Sequence, residues 1–169
     1  MMRRRRTAGR QRQRGYTLTE LAVMLSVAGL LLAIGLPSFS RYQRSTTVRN
    51  TYRQLVLDLR LARQRALSEH HHFVAAFDAG PPAWYGVFAD EDNDLSKDMA
   101  ESWLLQRTLN GSVALDASAL TPADSLAFGP AGSLPGGWTG GIVAIASAAT
   151  GDGRILRAWP SGSIETLSP

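Results

Sequence analysis

The chain has 169 residues, 44% of them hydrophobic, and no cysteine, so neither a disulfide framework nor a thiolate metal centre is open to it. Its formal charge of +4 would ordinarily suggest a polyanionic partner, but seven of the 18 basic residues are arginines that precede Tyr16. Without them 11 basic residues face 14 acidic ones, which argues against a uniformly basic nucleic-acid surface.

Residues 1–15 carry Arg3, Arg4, Arg5, Arg6, Arg10, Arg12 and Arg14 and no acid. Such a flank is expected to stay cytoplasmic, which puts the C-terminus on the far side of a membrane. Leu21 to Ser40 is a run without charges; as a helix it would span about 30 Å, the thickness of a hydrocarbon core. The composition predicts a transmembrane helix over residues 16–40. Glu20 stands at its head, and a carboxylate there costs up to about 2.5–3.5 kcal/mol at the bilayer centre unless something neutralises it. A secretory signal peptide would need a small-residue cleavage site after the apolar run, and Ala33-Ile34-Gly35 and Gly35-Leu36-Pro37 fit that pattern poorly. The processing point is therefore expected before the run, between Gly15 and Tyr16. Pro37, with no N–H and a ring that crowds the preceding turn, is expected to kink or break the helix.

Gly15-Tyr16-Thr17-Leu18-Thr19-Glu20-Leu21 followed by an apolar helix with Pro37 resembles the class III signal of type IV pilins and type II secretion pseudopilins, whose usual form is Gly-Phe-Thr-Leu-Ile-Glu-Leu. Tyr16 and Thr19 depart mildly from that form. The resemblance implies a prepilin peptidase that cuts after Gly15, N-methylation of Tyr16, and pairing of Glu20 with the terminal amine of a neighbouring subunit. It also implies a bacterial inner-membrane location, with membrane lipid, an inner-membrane assembly platform and other pilins or pseudopilins as partners.

Residues 41–72 read as an amphipathic stem helix. Val48, Tyr52, Leu55, Leu59, Ala62 and Ala66 recur at alternating four and three spacing, and Arg49, Arg53, Arg60 and Arg63 lie off that stripe. The stripe lasts under three heptads, so it is expected to dock on the protein's own sheet and not to form a coiled coil. His70, His71 and His72 close the stem; adjacent histidines on a helix point apart, so they mark an exposed helix exit in preference to a metal site. Residues 73–169 then read as a β-rich head with strands over Phe73–Phe77, Trp84–Ala89, Ser102–Leu109, Ser112–Leu115, Ser125–Phe128, Gly141–Ser147 and Arg154–Trp159, parted by turn clusters such as Gly80-Pro81-Pro82 and Asn110-Gly111. The stem from Arg41 to Phe77 has net charge +5 and the remainder from Asp78 has −7, a division suited to side-by-side packing in a polymer.

Two stretches of the head are candidate binding sites. Asp90, Asp92, Asp94, Asp98 and Glu101 have the ligand spacing of an EF-hand calcium loop, with Ser96 at its seventh position. Leu95 occupies the position where such a loop needs glycine, and no helix precedes Asp90, so the loop is read as a solvated acidic hairpin with calcium as the alternative. Crowded carboxylates repel unless something screens them. The second stretch is Gly153-Arg154-Ile155-Leu156-Arg157. Some minor pilins bind DNA through a C-terminal Gly-Arg-x-Arg element, but here one extra residue separates the arginines, and on a strand they would face opposite ways. Strand arginines that close a sheet edge are the preferred reading, nucleic acid the lesser one. No nucleophile, base and orienting residue can be assembled and no phosphate loop occurs, so no enzymatic activity is expected and no cofactor is called for.

Taken in order, Leu61-Ala62-Arg63-Gln64-Arg65-Ala66, Trp84-Tyr85-Gly86-Val87-Phe88, Leu126-Ala127-Phe128-Gly129-Pro130-Ala131-Gly132 and Ile142-Val143-Ala144-Ile145-Ala146-Ser147 running to Gly153-Arg154-Ile155 resemble the GspH/FimT group of minor pilins and H-type pseudopilins. The resemblance implies an α+β, pilin-like fold: a long bent N-terminal helix packed on a small antiparallel β-rich head. It implies a structural subunit of a type II secretion pseudopilus or type IV pilus that helps to prime or cap the fibre, with a DNA-uptake role as the alternative.

Overall fold

The computed structural model describes residues 16–167, with backbone alone at 34–38, 40 and 41. Gly15, one half of the expected processing point, lies outside the described residues. The chain divides after Ser40 into two units, and helix α1 (Leu18–Glu69) contributes to both.

In the first unit α1 opens on Thr17. Its Oγ1 accepts the Glu20 N–H at 3.2 Å, and its carbonyl accepts the Leu21 N–H at 3.1 Å. Thr17 is thus an N-cap with Glu20 three residues on, the spacing of a capping box, and the carboxylate stands where a helix end favours negative charge. The described apolar side chains from Leu18 to Leu32 are exposed on every side of the helix: Leu18, Leu21, Val23, Met24, Leu25, Val27, Leu30, Leu31 and Leu32. Among the described residues no helix is long and apolar enough to cross a membrane, and the expected span over 16–40 falls partly on side chains outside that set. The backbone stays helical through Pro37, so of the kink or break expected there the helix is not broken.

The second unit holds the core. Val48, Tyr52, Leu55, Leu59, Ala62 and Ala66 are all buried, as their spacing requires, and Val56 joins them. The helix ends at Glu69, three residues sooner than expected. His70 turns the chain through a left-handed conformation with φ 59°, and His72 already belongs to the first strand.

Eight strands follow among the described residues: β1 (His72–Asp78), β2 (Trp84–Asp90), β3 (Trp103–Thr108), β4 (Val113–Asp116), β5 (Ser125–Phe128), β6 (Gly141–Ser147), β7 (Gly153–Ala158) and β8 (Ile164–Leu167). Every pairing is antiparallel, in two sheets ordered β3-β2-β1-β5 and β4-β6-β7-β8. Alternation puts Phe73, Ala75 and Phe77 of β1, Tyr85 and Val87 of β2, Val143 and Ile145 of β6 and Leu156 of β7 into one core with the helix stripe. Strand β8 was not expected from the sequence. It has four residues, is nowhere fully buried, and lies at a sheet edge where Glu165 and Thr166 dilute the apolar signal.

Two turns are tied to the helix by one side chain. Arg63 Nε donates to the Gly132 carbonyl at 2.8 Å and its guanidinium reaches the Ser161 carbonyl at 3.3 Å. Gly162, at φ +74°, lies so close to the Gly132 carbonyl that a Cβ there would collide with it. The Arg63 segment, the Gly129–Gly132 turn and the Ser161–Gly162 turn are therefore one structural joint.

Candidate functional site

The most heavily engaged polar group of the second unit is one the sequence reading passed over. Asp58 is only 4% exposed. Its carboxylate accepts Arg107 Nε at 2.6 Å, the Tyr85 hydroxyl at 2.8 Å and Gln54 Nε2 at 2.9 Å, so one side chain of α1 fastens β2 and β3. Burial, followed by the hydrogen bond to Asp58, drives the Tyr85 phenol far above its ordinary range and keeps it a donor. The Asp58 hydrogen bond likewise raises the Arg107 guanidinium. A shallow hollow of about 280 Å³ opens beside Gln54, Tyr85 and Arg107, but the Asp58 carboxylate itself is spent on joining helix to sheet, which makes the network a structural clamp. Its sequence signal was faint: Asp58 is one of only two acids in a stem of seven arginines, bordering the buried stripe.

The acidic loop after β2 gathers three of its five expected ligands. Oxygens of Asp90, Asp92 and Asp94 lie within 4.8 Å of one another. Asp98 and Glu101 are used differently: Asp98 accepts the N–H groups of Ala100 and Glu101, and Glu101 accepts those of Glu91 and Asp98. Asp90 is fully buried and accepts the Asp94 and Leu95 N–H groups, both at 3.2 Å. Burial pushes its carboxyl above the usual range against the pull of those donors. Leu95 makes the sharp turn itself at φ 62° and packs on a small apolar cluster of Val74, Phe88 and Ala127. The Lys97 ammonium donates to the main-chain carbonyls of Asp98 and Glu101 and stands 5.7 Å from the Trp103 ring and 5.9 Å from that of Phe88. The loop is organised around a leucine and a lysine.

The remaining candidates fall apart in space. His72 Nδ1 is bonded to Asn93 Oδ1 at 2.6 Å, while His70 and His71 are exposed. Arg154 and Arg157 point to opposite faces of β7, as expected: Arg154 shares the inward face with Leu156 and Ala158, and Arg157 lies outside with its guanidinium 4.2 Å from the Trp159 ring. The sheet-edge reading is corrected, because β7 lies between β6 and β8. Arg154 instead faces the helix, beside Arg49, Tyr52 and Arg53.

The family described as "Type II transport protein GspH" matches residues 51–162. Two solved structures share the fold. The type IV minor pilin FimU of Pseudomonas aeruginosa is 16% identical, with 75% of this chain and 92% of that one covered at a TM-score of 0.57. The minor pseudopilin EpsH from the type 2 secretion system of Vibrio cholerae is 16% identical, with 72% and 97% covered at a TM-score of 0.53. No curated protein sequence matches the chain.

Proposed function

The chain belongs to the GspH family, and on that footing we propose that it is a minor pilin or pseudopilin, a structural subunit of a type IV pilus or type II secretion pseudopilus and not an enzyme. The observation that carries the reading is the first unit. Its helix begins one residue after the Thr17 cap, carries Glu20 in its first turn, and displays leucines and valines on every side. A helix that is apolar all round must be buried by something other than its own chain. Lipid before assembly and neighbouring helices afterwards supply that burial in turn, and the segment 16–40 is the membrane-spanning half before assembly.

Within this reading the prepilin peptidase removes residues 1–15, and Tyr16 becomes the methylated N-terminus. Glu20, exposed at the helix start, then neutralises a neighbour's terminal amine. A low-copy place at the fibre tip, where the subunit primes or caps assembly on an inner-membrane platform, agrees with the role implied for the GspH/FimT group. Intact-mass measurement of the membrane-extracted protein tests the first step. The expected mass begins at a methylated Tyr16, and Gly15→Val leaves the precursor uncut; a mature mass that retains the seven leader arginines contradicts the proposal.

A further inference from the structure

Between the first turns of α1 in the second unit and the hairpin that joins β6 to β7 lies a cleft of about 620 Å³. Arg44 and Ser45 line it from the helix, and Ser147, Thr150, Asp152 and Arg154 line it from the hairpin. Arg154 also lines an adjoining hollow of about 300 Å³ with Arg49, Tyr52 and Arg53. Four guanidinium groups thus converge on one region against the single carboxylate of Asp152. Among the described residues none of the four makes an ion pair; those formed are Arg65–Glu69 and Arg107–Asp58.

A second observation points to a ligand. Ser147 is 5% exposed, and its hydroxyl is buried without any hydrogen-bond partner. An alcohol held in that state costs free energy in the free protein and gains most from an acceptor brought in from outside. Its position is not loose. The Ser147 N–H donates to the Asp152 carbonyl at 2.8 Å, its carbonyl accepts the Gly151 N–H at 2.8 Å, and it pairs with Val113 across β4. Arg154 stands opposite Ile145 on a strand paired along its length. Strand pairing thus fixes the backbone of the floor and of Arg154 before anything binds.

Guanidinium groups and hydroxyls recognise oxyanions, and a fork of N–H donors matches a carboxylate. The cleft is far larger than one ion needs, since a water molecule takes up only about 30 Å³. A long polyanion is disfavoured by the −7 charge of residues 78–169, so a short acidic segment of protein fits best. The chain displays one, with Glu91, Asp92, Asp94 and Asp98 all exposed. It cannot reach its own cleft: His72 ties that loop to the end of α1, and Arg44 lies twenty-five residues earlier on the helix than Glu69, about 38 Å at the helical rise.

We propose that this cleft binds the carboxylates of an acidic loop on a neighbouring pilin or pseudopilin of the fibre, for which this chain's own exposed loop serves as the chemical probe, an inference that rests on the fibre-subunit reading above. The test uses the full chain in detergent and a labelled synthetic peptide of residues 89–103, with a twin in which every Asp and Glu is replaced by Asn or Gln. The acidic peptide is expected to bind, to weaken as salt is raised, and to lose about tenfold in affinity in Arg44→Gln with Arg154→Gln. Ser147→Ala should weaken the peptide several-fold while the melting temperature of the free protein holds or rises, which a merely structural serine would not do. No binding, equal binding of the neutral twin, or an unaltered affinity in a double variant that melts like the parent overturns the proposal. So does binding of inorganic phosphate or duplex DNA, lost in the same variant, without binding of the peptide. Recovery of the unmodified chain in fibres is read separately: a chain that enters fibres but ignores the peptide sinks this inference alone, and one that never enters fibres sinks the reading beneath it.

Discussion

Asp58 is the residue on which the second unit depends most sharply. It is buried, ionisable and held by three donors, Gln54 on its own helix and Tyr85 and Arg107 on two strands. Asp58→Ala leaves a guanidinium and a phenol without their acceptor. It is expected to cost about 3 kcal/mol in chemical denaturation, toward the low end for a broken buried pair because the Arg107 side chain is 45% exposed. Tyr85 adds a pH signature. Its phenol is raised far above its ordinary value of 10.0, so the folded chain holds a proton that the unfolded chain gives up. That contribution is complete below about pH 10 and is lost as the pH rises beyond it. Tyr85→Phe should cost about 1–3 kcal/mol at neutral pH and flatten the alkaline fall. An equally steep fall above pH 10 in the variant would mean that other groups carry it.

At the scale of elements, the sequence made the helix stripe and seven of the eight strands legible, because buried positions recur at periods of 3.6 and 2. Val48 through Ala66 needed no tertiary information. What stayed hidden was set by contacts between distant segments. β8 reads as a turn-flanked stretch until β7 pairs with it, and Arg63 reads as a solvated charge until two carbonyls from remote turns meet it. Among the site residues, Glu20 stood out because a charge beside an apolar run is anomalous anywhere. Asp58 and Ser147 look ordinary in sequence, and only burial makes them unusual. The acidic loop is the instructive case: its spacing matches calcium ligands, yet Leu95 makes the turn where such a loop needs glycine, and Lys97 stands over the Trp103 ring. Calcium is therefore expected to leave the melting temperature of the full chain unchanged, and Lys97→Gln to lower it by a few degrees, on the order of a lost cation–π contact and its carbonyl bonds. A calcium-dependent rise that Asp92→Ala abolishes would show that the carboxylates, and not the lysine, organise the loop.

For the whole molecule, the partition of charge and apolar surface says more than the net values. A basic N-terminal segment, an apolar stretch, a basic stem and an acidic remainder follow one another along the chain, the order expected of a subunit that is inserted, trimmed and stacked. The same partition bears on nucleic acid. Arg154 and Arg157 face opposite ways in a −7 background, so the processed chain is expected to show no binding to duplex DNA at physiological salt in an anisotropy titration. Micromolar, salt-sensitive binding that Arg154→Gln with Arg157→Gln removes would favour DNA uptake instead. The central claim is assembly, and Glu20 is where it can be tested most directly. Fibres sheared from cells that express the chain or its Glu20→Ala variant are to be probed for the processed subunit. Our account expects the parent in the fibre fraction and the variant cut normally, with its second unit folded, yet depleted from fibres. Parent and variant present in fibres in equal amount, or the parent absent from fibres altogether, would contradict it.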